Sequence, residues 1–105
     1  MSHFVTVLYN QPADEAAAAA FDEYYEQTHA PLARTLPELD GLTVIHPTPG
    51  PDGSPAPYHL IAILEYASAE ACGRSFGSEI GQEVLADVPK FAVQGMTLTQ
   101  GPGVR

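Results

Sequence analysis

Short segments in which apolar side chains recur at every second position predict the strands of a sheet. The clearest runs from Tyr58 to Tyr66, where alternate residues form one apolar face and Ile61 and Ile63 lie on the other. Three further segments are rich in β-branched and aromatic residues and are predicted as strands. They span residues 3–9, 42–46 and 91–99.

Two longer segments have the features of helices. Asp14 or a near neighbour is suited to cap a helix that runs through an alanine-rich stretch to Thr28. Ser68 or a neighbour is predicted to begin a second helical region that reaches about Val88, with breaks at Gly77 and Gly81. The chain therefore alternates strand and helix in the order βαββαβ.

That order predicts an α+β, ferredoxin-like fold with a four-stranded antiparallel sheet in a single domain over residues 1–105. The proline- and glycine-rich residues 47–57 fit only a long exposed hairpin loop. Two helices cover one face of such a sheet, yet the third strand is apolar on both faces. An identical sheet could cover the second face, so a homodimer through the sheet face is expected.

Charge and composition narrow the range of partners. The formal net charge is -9 and the isoelectric point is near 4.5, which disfavours binding to nucleic acids and to anionic membranes. No apolar run approaches the length of a membrane span or forms a secretory signal, so a cytoplasmic protein is expected. The single cysteine, Cys72, is interpreted as a small buried hydrophobic residue rather than as a nucleophile.

His29 is the strongest candidate for chemistry. It lies on the seam between the apolar and polar faces of the first helix, and Pro31 is expected to stop or bend the helix beside it. At a helix C-terminus the dipole would favour protonated imidazole, which could act as a general acid/base. Tyr25, one turn earlier, could bind the substrate. Alternatively, His29 only hydrogen-bonds the carbonyls at the end of the helix.

Further candidates lie near the ends of strands. Tyr9, at the end of the first strand, and His59 are predicted to contact the substrate, whereas most other aromatic residues are assigned to the core. His46 and His59 flank the 47–57 loop and could pair, but with no third ligand at a diagnostic spacing they are interpreted as polar rim residues. We therefore expect no metal site. No glycine-rich phosphate loop is present, so no cofactor is expected.

The succession of Phe21, a tyrosine-rich turn, His-Ala-Pro-Leu and Leu-Pro-x-Leu resembles the EthD family. The flanking segments VTVLY, YHLIAILEY and DVPKFAVQGMTL follow the family's order and spacing. The resemblance implies a dimeric α/β-barrel in which His29 is the characteristic histidine and Asp87 an acidic position, here interpreted as a helix-end or loop carboxylate. Asn10 and Gln11 replace a basic residue that is common in the family.

Two functions remain open from the sequence. One is a cofactor-independent enzyme that isomerises, cyclises or oxygenates an aromatic, lactone or polyketide-like metabolite with His29 as the general acid/base. The other is a non-catalytic dimer that binds a small hydrophobic molecule, or an accessory protein of a degradation or oxygenase system. Many EthD proteins are labelled reductases, but these residues do not support a reductase.

Overall fold

The strands and helices follow one another in the predicted βαββαβ order. The structure is a computed structural model that describes residues 2–104. Its elements are β1 (His3–Asn10), α1 (Glu15–Tyr24), a π-helical turn (Tyr25–His29), α2 (Ala30–Ala33), β2 (Leu39–Ile45), β3 (Tyr58–Tyr66), α3 (Ala69–Gly77), α4 (Glu79–Phe91) and β4 (Met96–Pro102).

The four strands form one antiparallel sheet in the order β2-β3-β1-β4, which confirms the ferredoxin-like arrangement. At the centre of the sheet, Val7 pairs with Ala62 on one side and with Leu98 on the other. The connection from β2 to β3 is the long exposed loop that the prolines predicted. No helix within residues 2–104 combines the length and the apolar character that a membrane crossing requires.

The helices pack on one face of the sheet, and the core lies between the two layers. Alternate residues of β1 and β3 are buried there, as the period of two predicted. They are Val5, Val7, Tyr9, Leu60, Ala62, Leu64 and Tyr66. The opposite face of the sheet, which we call the open face, carries Thr6 and Leu8 of β1 beside Ile63 and Ile61 of β3. These side chains are only half-buried in the single chain.

Both predicted helix starts are confirmed by their capping hydrogen bonds. The carboxylate of Asp14 accepts a hydrogen bond of 2.8 Å from the amide of Ala17. The hydroxyl of Ser68 accepts one of 3.1 Å from the amide of Ala71. Each bond satisfies a donor that the first turn of a helix leaves free.

The first helix of the second helical region ends at Gly77, where a break was predicted, but the region differs from its prediction at Gly81 and at its end. The break falls at Ser78 rather than at Gly81, which lies in the first turn of α4. A Cβ atom at Gly81 would collide with the backbone carbonyls of Ser75 and Phe76, so this glycine permits close packing. Phe91 ends α4 instead of starting the last strand, because its ring is buried in the core.

Candidate functional site

His29 lies inside a continuous helical segment and not at its end. The segment runs from Glu15 to Ala33, and its middle is a π-helical turn in which the amide of Ala30 donates to the carbonyl of Tyr25. Pro31 is accommodated because it stands in the first turn of α2. The predicted helix stop at Pro31 is therefore wrong. Single π-helical turns within longer helices are frequent at functional sites.

The imidazole of His29 pairs with a carboxylate and not with backbone carbonyls. Its Nδ1 atom lies 2.9 Å from Oδ2 of Asp87, and both residues are buried, with 4% and 5% of their surfaces exposed. Asp87 lies within α4, so its interpretation as a helix-end or loop carboxylate is also wrong. The pair joins the first helical segment to α4 across the interior of the helix layer.

Two further groups hold the Asp87 carboxylate. The hydroxyl of Tyr24 donates a hydrogen bond of 2.6 Å to Oδ1, and Nζ of Lys90 lies 3.9 Å from the same oxygen. Burial alone would raise the pKa of Asp87, but the hydrogen bonds from Tyr24 and His29 and the nearby positive charges outweigh burial and lower the pKa. Asp87 is therefore an anion at neutral pH.

The environment of His29 favours the neutral imidazole. Burial lowers its pKa below the ordinary value of 6.5, and the hydrogen bond to Asp87 with its charge only partly opposes this shift. Because an ionised carboxylate can only accept, Nδ1 carries the proton and Nε2 presents its lone pair. This state is the reverse of the protonated one expected from a helix C-terminus.

A small cavity lies between the sheet and the helices beside His29. Its volume is about 30 Å³, and its walls are almost wholly apolar, with the side chains of Tyr9, Tyr25 and His29 among those that line it. Within residues 2–104, the two tyrosine hydroxyls and Nε2 of His29 make no hydrogen bond, yet none of these three atoms is fully enclosed, because Nε2 of Gln94 is the one buried side-chain polar atom there without a partner. The side chains of Tyr9, Tyr25 and His29 thus contribute to the wall of one small apolar space that is about the size of a water molecule.

Burial also sets the state of the two tyrosines. It raises the pKa of Tyr25 to about 12, although the charge of Arg34 partly opposes it. Burial raises the pKa of Tyr9 as well, with further contributions from Tyr25 and Asp87. Both phenols are therefore neutral near pH 7 and can donate hydrogen bonds to an oxygen atom in the cavity.

Packed aromatic rings fix the positions of these groups. The ring of Phe91 lies 4.5 Å from that of His29 and 5.5 Å from that of Tyr9, measured between centroids. The ring of Phe21 is stacked on Tyr25 at 5.9 Å. Phe21 and Phe91 are core residues, as predicted, and they leave the site little freedom to rearrange.

His59 lies outside the cavity. Its Nε2 atom is 2.7 Å from Oδ1 of Asp22, and its ring meets the edge of Phe21 at 5.2 Å. His46 lines a separate notch of about 210 Å³ on the other side of Tyr25, together with Asp22. Residues 2–104 contain no cluster of three or more histidine, cysteine or acidic side chains placed to hold a metal ion.

Sequence reasoning found the histidine but missed two members of its hydrogen-bond chain, Asp87 and Tyr24. A signal was present for Asp87. Val84, Asp87 and Phe91 recur at the spacing of a buried helix face, so the carboxylate stands where an apolar residue is expected. A charged residue at a core position needs a polar partner, so the pattern itself indicates that Asp87 belongs to a polar site.

Residues 13–95 match the EthD domain. The chain belongs to the EthD family. This EthD protein is 37% identical over 94 residues to an uncharacterised 11.0 kDa protein of Rhodococcus erythropolis encoded in the thcB-thcC intergenic region. The match covers 90% of this chain and 87% of that relative.

Solved structures agree with the family assignment. An ethyl tert-butyl ether D family protein of Bacillus halodurans is 32% identical, with a TM-score of 0.87 over 99% of this EthD protein and 100% of that chain. Two more distant structures share the fold alone. SnoaB, a cofactor-independent oxygenase of Streptomyces nogalater, is 15% identical with a TM-score of 0.60 over 99% and 93% of the two chains. A dimeric ferredoxin-like protein of Bacteroides fragilis is 8% identical with a TM-score of 0.68 over 97% and 96%.

Proposed function

We propose that this protein is a cofactor-independent enzyme that removes a proton from an activated C–H or O–H group of an aromatic, lactone or polyketide-like metabolite. The observation that carries the proposal is the buried His29–Asp87 pair, which lies beside a small apolar cavity that Tyr9 and Tyr25 also line. A neutral imidazole oriented by a carboxylate is the arrangement of a general base.

In the proposed step, Nε2 of His29 accepts the proton, and the electron pair of the broken bond moves into the conjugated system of the substrate as an enolate or aryloxide. The imidazolium that forms is stabilised by the Asp87 carboxylate, which is 2.9 Å away and is itself held by Tyr24. Tyr25 and Tyr9 donate hydrogen bonds to the developing oxyanion. His59, paired with Asp22, lies outside the cavity and has no part in this proton transfer.

Isomerisation, cyclisation and oxygenation all begin with this proton transfer. Return of the proton to another atom gives an isomer, and attack of the carbanion on a carbonyl closes a ring. In oxygenation, the carbanion is oxidised by molecular oxygen to a peroxide, which takes up the proton and loses water to leave a carbonyl group. SnoaB, a cofactor-independent oxygenase, shares this fold, which supports the last of these routes.

The protein is further proposed to act as a homodimer through the open face. Leu8 and Ile45 flank Ile61 on this face, and Thr6 and Thr43 flank Ile63. A half-buried apolar patch at the centre of a sheet is stabilised when a second layer removes it from water. A structural neighbour with this fold is dimeric, which supports the same arrangement here.

Deuterium exchange tests the proton transfer without knowledge of the final product. A panel of anthrones, naphthols and β-keto lactones in D₂O is monitored by NMR for the exchange of acidic C–H protons. We expect wild-type protein to accelerate exchange in at least one substrate and His29→Gln to abolish the acceleration. His46→Gln, at an exposed histidine, serves as the control. Saturable binding with no acceleration would contradict catalysis and favour the non-catalytic binding protein.

A further inference from the structure

A groove of about 380 Å³ lies between the helices α3 and α4 and the outer strand β4. Its volume is within the range of small-molecule sites, whereas the cavity at His29 has only about 30 Å³. An apolar cavity that binds benzene has about 150 Å³, so no aromatic ring fits beside His29 as it stands. The body of an aromatic substrate therefore needs another place.

The groove and the cavity share part of their walls. Val5, Phe76, Leu85 and Leu98 line both spaces. Val5 and Leu98 belong to the sheet, but Phe76 is on α3 and Leu85 is on α4. Leu85 is 41% exposed, so its side chain can change rotamer at low cost. Leu85 is therefore the part of the shared wall that can move most readily.

The groove also has a polar end. Gln100 of β4 stands opposite Val5 of β1, and its Oε1 atom lies 3.0 Å from Nε2 of His3. The same oxygen lies 3.9 Å from Sγ of Cys72. With Oε1 engaged in this way, the amide nitrogen of Gln100 is the donor that the side chain can offer to a molecule in the groove.

We propose that this groove is the binding site for the body of the substrate, a flat apolar molecule with a hydrogen-bond acceptor at the end that meets Gln100. Phe76 and Leu85 form a gate that admits the reactive end of the substrate to His29. This inference rests on the proposed function, because it takes the molecule deprotonated by His29 as the occupant. The occupant is a neutral or weakly polar metabolite, since no cationic side chain lines the groove among the described residues.

Two glycines of α3 give a matched test. A Cβ atom added at Gly73 or at Gly77 meets no other atom within 4 Å, so both positions accept a side chain. Gly73 lines the groove, whereas Gly77 does not. With 9-fluorenone as the probe in a fluorescence titration, Gly73→Phe should weaken binding by about tenfold or more, and Gly77→Phe should leave the affinity within about twofold. Equal affinities of both variants would overturn the proposal.

A second pair of measurements tests the polar end and the gate. Fluorene lacks the carbonyl of 9-fluorenone, so Gln100→Leu should reduce the preference for fluorenone over fluorene. Leu85→Ala should raise the association rate constant in stopped-flow binding. If neither quantity changes, the assignments of Gln100 and of the gate are wrong. Failure of 9-fluorenone to bind wild-type protein at any soluble concentration also overturns the groove proposal.

The outcome separates this proposal from the proposed function. If Gly73→Phe has no effect on binding while His29-dependent deuterium exchange persists, the groove is wrong and the catalytic proposal stands. If the exchange is absent but binding still depends on position 73, the groove stands and catalysis does not. If Gly73→Phe instead converts a dimer to a monomer in sedimentation, the groove is a contact between copies and the proposal fails.

Discussion

His29 and Asp87 are 58 positions apart in the sequence, yet Nδ1 of the histidine lies 2.9 Å from Oδ2 of the aspartate inside the protein. One residue comes from the first half of the fold and the other from the second. The pair forms only when both helical segments are docked on the sheet. The orientation and protonation of the imidazole therefore depend on the packing of the whole helix layer.

Replacement of Asp87 by asparagine tests this dependence. Asp87→Asn keeps the size of the side chain but removes the charge that orients and stabilises the imidazolium. We expect His29-dependent exchange to fall by roughly 10²–10⁴-fold, as in other histidine–carboxylate pairs. NMR of the imidazole nitrogens should show loss of the single Nδ1–H tautomer. Glu83→Gln, one turn earlier on the exposed side of α4, is the control and should change neither quantity.

The pH dependence of stability follows from the lowered pKa of His29. Below the ordinary pKa of 6.5, the unfolded chain binds a proton that the folded protein does not, so the free energy of unfolding falls as the pH decreases. The loss ends once the pH is below the pKa in the folded state. Urea unfolding between pH 8 and pH 5 should reveal this slope, and His29→Gln should flatten it. An unchanged slope in this variant, with His46→Gln as the comparison, would show that another group is responsible.

Removal of single tyrosine hydroxyls separates binding residues from structural ones. The hydroxyl of Tyr66 is 2.9 Å from Oγ of buried Ser75, so Tyr66→Phe should cost about 1–2 kcal/mol. Tyr9 and Tyr25 have no partner for their hydroxyls among residues 2–104, so Tyr9→Phe and Tyr25→Phe should be neutral or stabilising. Chemical denaturation measures the free energy of unfolding of all three variants. A clear loss of stability in Tyr25→Phe would indicate a structural hydrogen bond.

Two glycine-to-alanine variants should have opposite effects on stability. Gly81→Ala places a methyl group against the carbonyls of Ser75 and Phe76 and should destabilise by about 2 kcal/mol or more. Gly73→Ala, in the exposed interior of α3, should stabilise by about 0.5–1 kcal/mol because alanine favours helix. Thermal unfolding compares the melting temperatures of the two variants with that of the wild-type protein. Similar melting temperatures would contradict the close approach of α4 to the end of α3.

The dimer proposed through the open face is tested at its centre. Ile61→Glu places a charge between Leu8 and Ile45, where a partner sheet would bury it without a counterion. Analytical ultracentrifugation should then show a monomer. Val93→Glu adds the same charge at a residue that is 82% exposed, and the dimer should persist. A dimer unaffected by both changes would have its interface elsewhere.

Local pattern predicted the strands because alternation is a local property. Both ends of β3, at Tyr58 and Tyr66, are as predicted, and the caps at Asp14 and Ser68 are correct. Phe91 was placed in a strand because its neighbours resemble one, but its burial against His29 extends α4 instead. Tertiary packing outweighs local preference at that position.

The sequence pointed to the histidine and the tyrosines of the candidate site but not to the protonation state of the histidine. The histidine stood out on a helix seam, whereas the state of its ring depends on a carboxylate 58 residues away and on burial. From the neighbouring residues alone, His29 was expected to be protonated because a helix end was predicted at Pro31. The π-helical turn, which no residue pattern announces, lies within a continuous helix and has His29 as its last residue.

Because of this π-helical turn, the His29–Asp87 pair depends on the number of residues in the helix as well as on their identity. A π-helical turn accommodates one residue more than an α-helical turn, and each residue rotates a helix by roughly 100°. Deletion of one residue between Tyr25 and His29 would restore a regular helix and point the imidazole away from Asp87, even though every member of the site was still present. Relatives that keep the histidine but lack this extra residue would then contain the same site residues without forming the histidine–carboxylate pair.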